Sequence, residues 1–489
     1  MSTSTLPFTS PTGSESQGTL RKKSASPFKS QRFSPYKQPR KASSLLHLTG
    51  NPHSHPNPSP PACSLPVSSS GPTGTDFKIN HDTFESTIHV KLDFELYQNG
   101  EQKFPSSDQM QAIMALFPTC FKVTASPPFL VVRCETLPPR PWPVTVAGLP
   151  LFLTTSKDQE PLDLGARARG PKINIKGEIV RWKTPEMQTF IEIFEALKGV
   201  GAEVERVQWI GWALLVLAAQ EPDKDWKSHL PSTINNIYVG YIFGEVAVTE
   251  HALRTKLPTD RDHDDTAYSN LRPGIKLACR TEPEDPKDKD AYIATTAGIC
   301  VESPGGKKYI TLASHGFEST VGSEVRHPSL QGRLLGLVAK VFGETDISLC
   351  ELTPGVSYSR ETFSVADPTA PEVKPFREII ANPAKLLVGD LIIMDTAFNG
   401  RCEGNLIKVE LERIPADDPF SEEVEYTLGS FGYFGNGREK LYDGCCGGVL
   451  WTENCDVIGQ FRFQATGPEI SHFPACSSLH KWGYKLSET

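Results

Sequence analysis

From about Ala291 to the C-terminus the chain is a succession of short apolar runs, each broken by Gly or Pro at intervals of about 8–15 residues. The runs are Gly298–Glu302, Tyr309–Ala313, Leu334–Val341, Ile347–Leu352, Leu391–Met394, Leu406–Leu411, Glu425–Leu428, Gly448–Trp451 and Val457–Phe461. Helical periodicity is nearly absent between them. Many short strands separated by turn residues bury their apolar faces only as a sandwich or barrel. This predicts an all-β unit over 291–489.

The remainder of the chain is different in kind. A length of 489 residues allows two or three domains. Residues 1–75 carry eight Lys/Arg against one acid, Glu15, whereas the following 414 carry 42 basic and 57 acidic residues. Nearly half of residues 1–75 are Ser, Thr or Pro, and the segment cannot bury enough apolar surface to offset its ordering entropy. It reads as a disordered basic tail. Ser26-Pro27-Phe28-Lys29 and Ser34-Pro35-Tyr36-Lys37 resemble cyclin-dependent-kinase sites. Ser26 and Ser34 are therefore candidate phosphorylation sites, where a phosphate would reverse the local charge.

Residues 76–272 read as an α/β domain of unknown role. Ile88 to Leu96 alternates apolar and polar residues, which predicts a half-buried strand. Phe129–Val132 and Leu149–Leu153 read as two more. Thr184-Pro185 predicts a helix start, with Thr184 as cap, followed by Met187, Phe190, Ile191, Phe194 and Leu197 and ended by Gly199. The apolar run Trp209–Ala219 reads as a second, buried helix. Trp182, Trp209 and Trp212 read as core rather than as a ligand platform. Residues 273–290 read as a linker, and the Asp262–Asp265 cluster around His263 as an exposed acidic loop rather than a metal site.

Eleven cysteines at scattered spacings, with no Cys-x-x-Cys pair, predict free thiols in a reducing, cytoplasmic compartment and no structural zinc. Arg21-Lys22-Lys23 with Arg40-Lys41 is a candidate nuclear signal. No aromatic–basic platform accompanies it, so nucleic acid is not an expected partner. The longest apolar run, at about 11 residues, is shorter than the ~20 needed to span a bilayer, so no membrane partner is expected.

Chemistry is carried by three motifs of the β-rich unit. Tyr309-Ile310-Thr311-Leu312-Ala313-Ser314-His315 places a His at a strand end, and Asp346 immediately precedes the apolar run Ile347–Leu352. Asp443-Gly444-Cys445-Cys446-Gly447-Gly448 surrounds two thiols with glycine. A nucleophilic thiol needs a base, the base needs an acid that holds its tautomer, and a glycine before the nucleophile lets backbone N–H groups converge on an oxyanion.

With these parts in the order His, Asp, Cys, the stretch 291–489 resembles the chymotrypsin-like (trypsin-like) double β-barrel peptidases. Gly444-Cys445-Cys446-Gly447-Gly448 is similar to the cysteine form found in picornavirus-type main proteases. The resemblance implies His315 as general base, Asp346 as orienting acid, Cys446 as nucleophile, and the backbone N–H groups of Gly444 and Cys446 as the oxyanion hole. It implies an endopeptidase that forms a thioester, needs no cofactor or metal, and takes protein or peptide substrates. Its own chain at 50–75 or 260–290 is included among these. Glu344 is an alternative acid, and Cys445 a competing nucleophile. Lys440 or Arg438, with Gly459, Gln460 and Phe461, are candidates for the specificity pocket. Phe461 stands where the viral-type enzymes carry a glutamine-reading His, so glutamine specificity is not implied. The opposing reading is a catalytically inactive pseudoprotease that serves as a protein-binding scaffold.

Overall fold

The computed structural model describes residues 89–488 apart from short stretches, the longer of which are 139–141, 222–224, 245–247, 250–254, 257–263, 281–291, 318–320, 364–372, 415–424, 435–440 and 466–469. Ser26, Ser34, His263, Glu344, Arg438, Lys440 and Asp443 lie outside the described residues. All described residues belong to one compact unit, Asp76–Thr489. It is mostly β-sheet with few helices.

Three sheets dominate. The first carries β1 (Cys120–Ser126), β2 (Phe129–Cys134) and β3 (Leu149–Thr154), beside the helix α1 (Ser107–Ala115). Ser106 caps α1 with a reciprocal pair of bonds to Gln109, satisfying amides that a helix start leaves orphaned. The Ile88–Leu96 stretch forms only a two-residue strand, His89–Val90. Its in–out alternation of exposure nevertheless persists to the buried Leu96, although the backbone bends away from the ladder.

Helix α2 spans Met187–Gly199 and buries Phe190, Ile193, Phe194 and Leu197. Its cap is Glu186, not Thr184. The amide of Thr184 donates to the Leu386 carbonyl, and Lys183 bridges Leu387, which holds this backbone extended until Pro185 has passed.

The run at 209–219 is not a helix. It is a hairpin of β4 (Arg206–Trp209) and β5 (Ala213–Ala218), turning at Gly211 with φ +90°. A Cβ on Gly211 would lie 2.5 Å from the Trp182 ring, so no other residue fits the turn. Leu214 and Val216 of β5 enter the main core, while Ala213, Leu215 and Leu217 enter a separate cluster with Trp212 and Tyr238. A strand buried on both faces is apolar throughout, and its periodicity cannot be told from that of a buried helix. Trp209 is core, whereas Trp182 and Trp212 line an aromatic cleft with Phe129, Trp142, Phe152 and Tyr433.

β5 runs parallel to β6 (Ile237–Phe243). The second sheet contains β7 (Lys276–Arg280), β8 (Tyr292–Thr296), β9 (Cys300–Glu302), β10 (Lys308–Ala313), β11 (Glu324–His327), β12 (Arg333–Phe342) and β13 (Ile347–Leu352). The third contains β14 (Leu391–Thr396), β15 (Gly400–Ile414), β16 (Glu425–Tyr433), β17 (Val449–Thr452), β18 (Val457–Gln460), β19 (Phe463–Ala465) and β20 (Ile470–Pro474). Each of the nine runs read from the sequence beyond 291 overlaps one of these strands.

The third sheet also takes in the hairpin of the preceding region. β4 pairs antiparallel with β15, Val207 opposite Leu411 and Trp209 opposite Val409. The region read as an α/β domain of unknown role thus contributes strands to a sheet of the C-terminal part. Asp264, expected in an exposed loop, is buried and accepts from the Tyr268 hydroxyl at 2.5 Å, and Asp265 pairs with Lys276 at 2.6 Å. Among the described residues no cluster of three metal-ligating side chains occurs, and no helix is long and apolar enough to cross a membrane.

Candidate active site

β10 and β13 are antiparallel neighbours, with Ala313 opposite Ile347 and Leu312 opposite Ser348. The residues that follow β10 and precede β13 therefore meet at one sheet edge. His315 lies in the short 3-10 turn Ser314–Phe317, and Asp346 adopts φ +55°, a left-handed conformation that an Asp tolerates better than most residues. Ser314 N–H donates to the Asp346 carbonyl at 2.9 Å, and Ser314 Oγ meets Ser348 Oγ at 2.8 Å.

The Asp346 carboxylate takes two bonds from one residue. His315 N–H donates to Oδ1 at 3.0 Å, and His315 Nδ1 lies 2.6 Å from Oδ2. A carboxylate at Nδ1 places the ring proton there and leaves Nε2 as the acceptor in neutral imidazole. His315 Nε2 is buried and has no hydrogen-bond partner. Asp346 itself is 5% exposed, and its carbonyl also accepts from Gln460 Nε2 at 3.2 Å.

Cys446 occupies the loop before β17. Gly444 has φ +104°, and a Cβ there would strike the Phe398 ring at 2.5 Å. Gly447 has φ +85°, and its Cβ would lie 2.5 Å from the Thr296 carbonyl oxygen and 3.1 Å from Ala313 N. That contact brings the loop backbone to within two residues of His315. The loop is pinned to the second sheet by Thr296 N–H (3.0 Å) and Thr295 Oγ1 (2.6 Å), both donating to the Cys446 carbonyl. Thr296 Oγ1 adds a bond to the Gly444 carbonyl at 2.7 Å. On the other side, Gly447 N–H donates to Phe461 O at 2.9 Å and Phe461 N–H to Gly448 O at 2.7 Å.

The Cys446 thiol is 1% exposed and donates to the Arg462 carbonyl at 3.3 Å, not to His315. Arg462 also extends its guanidinium to 3.9 Å from Asp346 Oδ2, so one residue touches both ends of the candidate triad. Cys445 is turned the other way, with Sγ 3.5 Å from Thr396 Oγ1 of β14. Gly459 lies against β20, and Phe461, expected as a pocket wall, buries its ring in the main core 6.1 Å from that of Phe473.

Sequence reasoning did not find Thr295, Thr296 or Arg462, and it offered Gln460 for the specificity pocket rather than as a partner of the Asp346 carbonyl. Thr295 and Thr296 act across 148–151 residues, and no local pattern marks such a contact. The aromatic cleft has no lining residue in common with this site.

No known family's sequence pattern matches the chain, and no curated protein matches it. Solved structures match part of it. A Nocardiopsis protease is 12% identical and covers 45% of this chain and 99% of its own, with a TM-score of 0.30. A Cellulomonas bogoriensis chymotrypsin is 14% identical over 45% of this chain and 100% of its own, at TM-score 0.29. A protease from M. tuberculosis, in its active form, is 13% identical over 43% of this chain and 79% of its own, at TM-score 0.26.

Proposed function

We propose that the chain is a chymotrypsin-like endopeptidase with Cys446 as nucleophile. The observation that carries this reading is the His315–Asp346 pair, which leaves a buried, unpartnered Nε2 beside the loop that bears the thiol. Substrate binding releases Cys446 Sγ from the Arg462 carbonyl and brings it to Nε2; catalytic contacts are often loose until substrate is bound. His315 takes the thiol proton, and the thiolate attacks the scissile carbonyl carbon. The N–H groups of Gly444 and Cys446 receive the oxyanion. His315 then protonates the leaving amine, and water, deprotonated by the same imidazole, hydrolyses the thioester to return the thiol. Asp346 holds the Nδ1–H tautomer throughout and stabilises the imidazolium.

A second reading rests on the same thiol. Its burial and its bond to Arg462 suit a pseudoprotease whose cleft holds a protein partner. An electrophilic cysteine probe separates the two. The peptidase reading expects fast labelling of Cys446 at neutral pH and a steep loss in His315→Ala, with the other thiols unchanged. Equal, slow labelling in both proteins sinks it. Mass spectrometry of the purified chain tests cleavage at its own segments 50–75 and 260–290.

A further inference from the structure

Outside the candidate site, two thiols face each other across a strand pair. Cys120 opens β1 and Cys134 closes β2, and the antiparallel register sets them directly opposite. Opposed residues in such a ladder have Cα atoms about 4.5–5.5 Å apart, within the roughly 4.4–6.8 Å that a disulfide spans. The Cys120 thiol at present donates to the Lys122 carbonyl at 3.6 Å. The backbone around them is closed as well: Glu135 N–H donates to Thr119 O at 2.9 Å, Cys120 N–H to Phe117 O at 2.8 Å, and Thr119 Oγ1 to Thr136 O at 2.5 Å. Cys279 and Cys350 are buried thiols as well, but their strands β7 and β13 are not paired.

We infer that Cys120 and Cys134 are a covalent modification site, joined as a cross-strand disulfide by a peroxide oxidant. Cys120 is half-buried and Cys134 fully buried, so the peroxide meets Cys120 first. The Cys120 sulfur attacks one peroxide oxygen and the O–O bond breaks, giving a sulfenic acid and one water. The Cys134 sulfur then attacks the sulfenyl sulfur, the S–O bond breaks, and the departing hydroxide takes the Cys134 proton as a second water. Two thiols are oxidised and one peroxide is reduced. Burial raises both thiol pKa values, that of Cys134 to about 11, so the reaction quickens as pH rises. The bridge fastens the corner between α1 and β1 to the end of β2. It does not depend on the peptidase reading.

The test uses the full chain, treated with hydrogen peroxide at mildly alkaline pH and digested with trypsin without reduction. Trypsin cuts after Lys122 and Arg133, so the peptides holding Cys120 and Cys134 stay together only through a bridge. The expected result is the joined pair, lost on adding dithiothreitol and absent in Cys120→Ser. Tm should rise by a few degrees on oxidation in wild type and not in the variant. Separate peptides after peroxide, with Cys120 unmodified or as sulfinic acid, overturn the inference, as does Cys120 joined to another cysteine. Activity plays no part in this readout, so its failure is distinct from failure of the proposed function.

Discussion

His315 and Asp346 are joined twice, through the ring Nδ1 at 2.6 Å and through the main-chain N–H at 3.0 Å, so one oxygen of a buried carboxylate holds the imidazole and the other holds the backbone that carries it. This double attachment sets the orientation of Nε2 before any substrate arrives.

Asp346→Asn keeps the shape and removes the charge. Its amide can donate toward Nδ1, which places the ring proton on Nε2, where it cannot accept from the thiol. We expect probe labelling of Cys446 and peptide hydrolysis to fall by about 10³–10⁴-fold with little loss of Tm. A rate near that of wild type would remove Asp346 from the mechanism.

Gly444→Ala should be costly in two ways. The new methyl is strained at φ +104° and meets the Phe398 ring at 2.5 Å. We expect a stability loss of about 1–3 kcal/mol. Displacing one oxyanion donor should cost a further ~10²-fold in kcat. Chemical denaturation and single-turnover kinetics measure the two separately.

Gly211→Ala distinguishes hairpin from helix by sign. In a helix interior the change would stabilise by about 0.5–1 kcal/mol. In the observed turn, at φ +90° and against Trp182, it should destabilise by about 1–3 kcal/mol. A urea melt of each protein decides.

Asp395 links stability to pH. Burial raises its carboxyl pKa from 3.8 to about 7, and its Oδ1 has no partner. The folded state therefore holds a proton that the unfolded state has released between pH ~4 and ~7. The native state is then penalised progressively as pH rises through that window, by an amount on the order of a few kcal/mol above pH 7. Asp395→Asn should remove the penalty, so the stability difference between variant and wild type grows from pH 4 to 7 and then levels. His327 and His472, whose pKa values burial lowers, oppose this slope in both proteins and cancel in the difference. A flat difference across the window would show that Asp395 is ionised when folded.

What local sequence could reveal follows how far each interaction reaches. Ile347–Leu352 lies between Gly343 and Pro354-Gly355, and short-range rules suffice to find it. Trp209–Ala219 failed because β5 lies between two apolar clusters, which erases the alternation that identifies a strand. Thr184 failed as a cap because its amide is held by Leu386, 202 residues away in sequence.

The sequence alone determined a β-rich C-terminal half and the order in which His315, Asp346 and Cys446 follow one another, since strand runs, turn glycines and chain order are local properties. The tertiary structure decided the rest. It joined β4 to β15, seated the Cys446 loop on Thr295 and Thr296, and set Arg462 between the thiol and the acid. Each of these is a contact between backbone or polar groups distant in sequence. Such groups must find partners once buried, and which partner each finds is settled by how the sheets pack.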